Sequence, residues 1–120
     1  MLVKTSELIG AALDWAVAKA DENLYPSGDV RLIDGGVCTI SAGGHEEEDH
    51  WNRYSPSTDW SLAGPIIERE KIAIGFDDEF GWMGMDMDGN YFMGETPLEG
   101  AMRCYAISKL GAEIDIPDGL

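Results

Sequence analysis

Four residues, Thr96-Pro97-Leu98-Glu99, constrain what this chain can fold into more than any other stretch. A threonine cap, a proline at the first helical position and a glutamate three residues after the cap make a capping box, in which side chains take up amides that the helix cannot. A helix is therefore predicted from Pro97 to about Leu110, and Gly111 stands where a left-handed residue usually ends one. Leu98, Ala101, Met102, Tyr105 and Lys109 fall along one side of it, joined by Leu110, so that side needs cover. The cover is predicted just upstream. Residues 72–76, 80–87 and 90–93 read as three strands, linked by 77–79 and by Asp88-Gly89, a favoured two-residue hairpin turn. The result is an antiparallel meander running into a helix.

The first third of the chain supplies a second helix. Thr5 or Ser6 can cap it, with Glu7 in the first turn where the helix dipole favours negative charge, and it is predicted to run to about Ala20. Leu8, Ala12, Trp15 and Lys19 follow one edge, while Ile9, Leu13, Ala16 and Val17 widen the apolar side. Residues 21–29 break the periodicity. Residues 30–33 and 37–40 then flank the turn formers Asp34, Gly35 and Gly36 as a hairpin too short to stand alone, so it is predicted to join a larger sheet. No alternation of strand and helix forces a parallel sheet. The predicted class is α+β: a single domain over residues 1–120, its antiparallel β-sheet built from the hairpin plus the three-stranded meander, with two main α-helices packed on one face.

Between the halves lies Tyr-Ser-Pro-Ser-Thr-Asp-Trp, residues 54–60. Pro56 holds Ser55 in extended geometry, and Ser57, Thr58 and Asp59 can each accept a hydrogen bond at a helix start. Gly64 and Pro65 are expected to interrupt that turn and to open a second short helical piece over 65–70. This block, YSPSTDW followed by GPIIEREKIAI, together with the opening KTSELIGAALDWAVAKA and the closing TPLEGAMRCYAISKLG, resembles the NinX-like family of small phage proteins. The resemblance covers nearly the whole chain and is poorest over residues 22–53 and 76–93. It implies a tailed-phage or prophage origin and carries no biochemical activity with it.

The chain has 23 acidic and 8 basic residues among 120, a formal charge of -15. Phosphate-backbone binding needs a positive surface, so direct nucleic-acid binding is excluded, and a basic protein partner fits best. Cys38 and Cys104 are two thiols without a histidine beside them, and they read as packed side chains. Without an apolar leader or a stretch of membrane length, the expected location is the cytoplasm of an infected or lysogenic host, with no membrane partner.

The candidate sites are few. His45 and His50 bracket Glu46, Glu47, Glu48 and Asp49, but they stand five apart, whereas the helical zinc motif needs four with glutamate directly after the first histidine. This run is read as a mobile acidic loop facing a partner, with no metal. Asp86, Asp88 and Asn90 alternate as a calcium loop would, yet the glycine comes too early and position twelve is Pro97, so they are read as a turn. Trp82, Met83, Met85, Met87, Phe92 and Met93 bring adaptable side chains to the meander, part of them available to a partner or to a second copy in a homodimer. No phosphate-binding loop, paired-cysteine box or nucleophile elbow occurs, so no cofactor and no catalytic set are predicted. Tyr54, Ser55, Ser57, Thr58, Asp59 and Trp60 are the candidate binding residues, either a structural corner or a surface with aromatic anchors and orienting hydroxyls. Three functions follow in order: a non-enzymatic acidic protein that engages a host or phage protein, a small-ligand-binding or sequestering protein using residues 54–60, and a small hydrolase or metal enzyme.

Overall fold

The computed structural model describes residues 1–21, 30–33, 35–40 and 51–120. In chain order the elements are β1 (Leu2–Lys4), a 3-10 turn (Thr5–Glu7), α1 (Gly10–Ala20), β2 (Val30–Ile33), β3 (Gly36–Ile40), β4 (Trp51–Arg53), α2 (Trp60–Glu70), β5 (Ala73–Asp77), β6 (Gly81–Met85), β7 (Tyr91–Gly94), α3 (Pro97–Leu110) and β8 (Glu113–Asp115). The α+β class is the one predicted. Helix α3 occupies the middle, packed against α1, α2 and the meander β5-β6-β7. Its Ala101, Met102, Cys104 and Ala106 are fully buried.

The start of α3 forms as its sequence dictates. The Thr96 hydroxyl accepts the Glu99 amide at 3.1 Å, and the Glu99 carboxylate accepts the Glu95 amide at 3.0 Å, one residue further back than in a standard capping box. Gly111 closes the helix at φ 91° and ψ -177°, a conformation open essentially to glycine alone.

The meander meets α3 through missing side chains. A Cβ on Gly84 would lie 2.6 Å from the Ala101 Cα and 2.7 Å from the Gly100 carbonyl oxygen, and one on Gly94 would collide with the Gly100 nitrogen. The register places Ile74, Gly84 and Phe92 in one row and Gly75, Met83 and Met93 in the next. Rows alternate between faces in a pleated sheet. The turn after β6 is longer than the two-residue turn predicted: the Asp86 amide bonds to the Asn90 carbonyl at 2.9 Å, and Gly89, at φ 88°, ends a three-residue loop. The Asp86 Oδ1 accepts the amides of Asp88 at 2.9 Å and Asn90 at 3.0 Å, so this carboxylate already serves its own turn.

Three expectations are corrected. The hairpin and meander do not share one sheet; β2-β3-β4, β5-β6-β7 and the terminal pair β1-β8 are separate antiparallel sheets, because the short hairpin finds its third strand in β4. Helix α1 begins at Gly10, since the Thr5 hydroxyl donates at 2.7 Å to the Gly111 carbonyl and its amide donates at 2.9 Å to that of Ala112, tying the N-terminal segment to the end of α3. Helix α2 is unbroken through Pro65. The carbonyl of Ser61 loses its amide partner, but Ser61 and Pro65 both lie on the exposed side, where water can replace the bond. Burial of Ala63 and Ile66 on the other side holds the helix together.

The glycine contact gives a sharp expectation. Gly84→Ala must push against backbone and should cost about 1–3 kcal/mol. Gly75→Ala, whose Cβ would sit at an ordinary 3.5 Å from the Met83 Cε, should cost far less. Urea unfolding of both variants measures this; equal midpoints would show that α3 does not rest on the sheet as described.

Candidate functional site

The loop of residues 54–60 is anchored at its start. The Tyr54 amide donates to the Val37 carbonyl at 2.8 Å, extending the β3-β4 ladder, and its ring is buried. Its hydroxyl donates to Asp21 Oδ2 at 3.4 Å. Asp21 Oδ1 in turn accepts Arg69 Nη2 at 3.2 Å, which also reaches the Tyr105 hydroxyl at 3.3 Å, and that hydroxyl donates to the Ala20 carbonyl at 3.2 Å. A polar seam thus ties the end of α1 to the loop, α2 and α3. Burial, with the Asp21 carboxylate adding to it, raises the Tyr54 phenol well above its ordinary range, and the same causes push Tyr105 up to about 12. Both stay neutral and serve as hydrogen-bonding posts.

The rest of the loop divides its labour. The Ser55 carbonyl accepts the amides of Thr58 at 3.1 Å and Asp59 at 2.9 Å, and Pro56 and Ser57 are buried. Asp59 alone caps α2, accepting from the Ser61 hydroxyl at 2.6 Å and amide at 2.9 Å, contacts that hold its carboxyl below the usual carboxylate range. Ser57 offers its amide instead, at 2.8 Å, to Asp14 Oδ1 on α1. The Ser57 Oγ is buried without a formed hydrogen bond among the described residues. Trp60 points outward and is 55% exposed, so of the two aromatics only Tyr54 pins the loop to the core. The six candidate residues share a bend but line none of the cavities described next.

The largest of these cavities, about 670 Å³, lies between the turn after β5, the end of β7 and the first turns of α3. Asp78, Glu79, Glu95 and Glu99 line it, with the exposed side chains of Phe80 and Ile9 and the partly buried Arg103. Arg103 is already engaged: Nε donates to the Leu8 carbonyl and Nη1 to that of Met93, both at 2.9 Å, and Nη1 lies 3.3 Å from Glu99. Four carboxylates against one committed cation leave the groove negative. The same imbalance runs through residues 72–102, which hold Asp77, Asp78, Glu79, Asp86, Asp88, Glu95 and Glu99 and not one Lys, Arg or His. Such a groove can accept a cationic group carried on an apolar stem. A narrower cavity of about 200 Å³ reaches Cys104, whose thiol burial pushes up to about 11, the state of a packed and unreactive side chain.

Glu46, Glu47, Glu48 and Asp49, with His45 and His50, lie outside the described residues, as does the side chain of Cys38. Asp14, Asp21 and Arg103 were not singled out by sequence reasoning. Their signal was present: a carboxylate between Leu13 and Trp15 on an apolar helix, and one cation after thirty-one residues without any.

Burial raises the pKa of Asp14 from 3.8, opposed by the Ser57 amide and hydroxyl. An acid whose folded pKa is raised binds its proton more tightly in the folded state, so its ionisation destabilises the fold increasingly as pH climbs from about 4 through that raised value. Asp14→Asn, which keeps the acceptor for Ser57, should therefore match or exceed the native stability at pH 7 and lose part of the acid-range dependence. Asp14→Ala strands a buried amide and should cost about 1–3 kcal/mol. Urea midpoints across pH 4–7 check both; an asparagine variant as weak as the alanine one would contradict the assignment.

Among the described residues no helix is long and apolar enough to cross a membrane. No curated protein matches the chain. The family model described as Bacteriophage P22, NinX, does match it, over residues 4–109, and on that span the chain belongs to the phage P22 NinX family.

Proposed function

We propose that this NinX-family protein acts without catalysis, in the cytoplasm of an infected or lysogenic host, by binding a basic host or phage protein. The observation that carries the reading is the negative groove beside α3, with Asp78, Glu79, Glu95 and Glu99 around exposed Phe80 and Ile9 and its one arginine already committed. Charge of one sign focused on a cleft speeds and selects encounters with the opposite sign, and exposed apolar side chains prolong them. The acidic run at residues 46–49 adds to the formal charge of -15. A small-ligand role for Tyr54, Ser55, Ser57, Thr58, Asp59 and Trp60 is the second reading, supported by the outward-facing ring of Trp60.

Affinity capture of the tagged protein from its host, read by mass spectrometry in low and then high salt, tests the first reading against a variant carrying Asp78→Lys, Glu79→Lys and Glu95→Lys. Exposed charges cost little stability when changed, so the variant should fold normally. A basic protein held at low salt, shed at high salt and lost by about tenfold or more from the variant is the expected result. Capture that is indifferent to both salt and charge reversal would reject it.

A further inference from the structure

The acidic groove beside α3 has two rims, and each is clamped by a carboxylate of its own. On one side Asp77 Oδ1 accepts the amides of Glu79 at 2.8 Å and Phe80 at 3.0 Å, which fixes the turn after β5 and the starting points of those two side chains. On the other side Glu99 Oε1 accepts the Glu95 amide at 3.0 Å. Arg103, which lines the same cavity, is tied to the Leu8 and Met93 carbonyls. The clamping acids are spent. Asp78, Glu79 and Glu95 are exposed, and among the described residues no ion pair or side-chain hydrogen bond engages their carboxylates. Phe80 and Ile9 line the same cavity and are 64% and 61% exposed, large apolar side chains that the fold itself leaves in water.

We infer that this groove is the seat for an arginine of the partner protein, with Phe80 the residue that selects arginine over lysine. The inference rests on the basic-partner reading above and adds to it the residue that is recognised and the side chain that recognises it. An ammonium is compact and strongly hydrated, so at an exposed acidic rim it keeps its water and gains only a screened attraction. A guanidinium is planar and weakly hydrated. It lies flat on an aromatic face while its in-plane N–H groups still reach carboxylates. Glu79 and Phe80 are neighbours on one clamped turn and both line the cavity, so a carboxylate and a ring are offered to the same cation. Glu95 adds a second carboxylate from the facing rim, and Ile9 an apolar surface for the methylene stem. A cavity of about 670 Å³ lies in the range that takes up a whole small molecule, so residues flanking the arginine enter with it.

The test titrates the ¹⁵N-labelled full chain with three short capped peptides at millimolar concentration, alike except for a central arginine, lysine or citrulline, the last having the shape of arginine without its charge. The amide signals of Phe80, Gly81 and Glu95 report on the groove, and those of Ala63 and Ile66, on the buried side of α2, report on the fold. The expected result is that the arginine peptide moves the groove amides and binds about three to five times more tightly than the lysine peptide, while the citrulline peptide leaves them unmoved. Phe80→Leu keeps an apolar side chain at an exposed position and should bring the two cationic peptides to equal affinity, with the α2 signals unchanged. Equal affinity of the two for the native chain, with the groove amides moving, overturns the selection of arginine and leaves the basic-partner reading standing. An arginine preference that survives Phe80→Leu overturns the role of the ring in the same way. Binding that moves other amides and not those of the groove, or no binding by either cationic peptide, overturns the seat itself, and the basic-partner reading then stands or falls on the salt-dependent capture alone.

Discussion

The closeness of α3 to the meander governs most of this structure. Without side chains on Gly84 and Gly94, the helix backbone rests almost directly on the sheet, a separation that a Cβ at either point would break, while one on Gly100 would crowd the sheet at 3.2 Å. Helix α3 also packs on α1 and α2 and takes the N-terminal segment through Thr5, so what fixes α3 fixes the relation of the parts. The consequence for the sheet is one-sided. By meeting α3 through glycines, the meander turns its methionines the other way.

Acidic side chains in this protein divide into those that build and those that remain available. Asp59 caps α2, Asp77 and Asp86 hold the amides of their own turns, and Asp21 is shared by Tyr54 and Arg69. Asp14 is buried to receive one amide, at the cost of desolvating its charge. Asp78, Glu79 and Glu95, by contrast, line a groove whose single cation is spent on Glu99 and two carbonyls. A surplus of charge that is concentrated rather than spread is what distinguishes a steering surface from simple solubility.

Much of this was legible from local rules. Thr96, Pro97 and Glu99 announced α3, and the strand alternation around residues 72–93 announced the meander, because caps and pleats are set by neighbours in sequence. The errors came where distant residues decide. Thr5 looked like a helix cap but is spent on the carbonyl of Gly111, and Pro65 looked like a break but sits on the solvent side of a helix held by Ala63 and Ile66. The hairpin took its third strand from residues just before Tyr54, which no periodicity in so short a segment could foretell. The stretch from Tyr54 to Trp60 was conspicuous in sequence chiefly because it is a corner: Tyr54 is inside, Ser57 feeds Asp14, Asp59 caps, and only Trp60 faces out. The acidic groove needed three dimensions, since Glu79 and Glu95 meet only once the meander folds back.

Helix α3 covers one side of the meander, and among the described elements nothing packs broadly on the other. Methionine oxidation by dilute peroxide, followed residue by residue in the free protein by mass spectrometry, tests it most directly, because sulfoxide forms where the thioether meets solvent. Met83, Met85 and Met93, half-buried, are expected to oxidise well ahead of Met102, a fully buried residue of α3 itself. Protection of all four alike would mean that something already covers the outer face, and the one-sided sheet would be wrong.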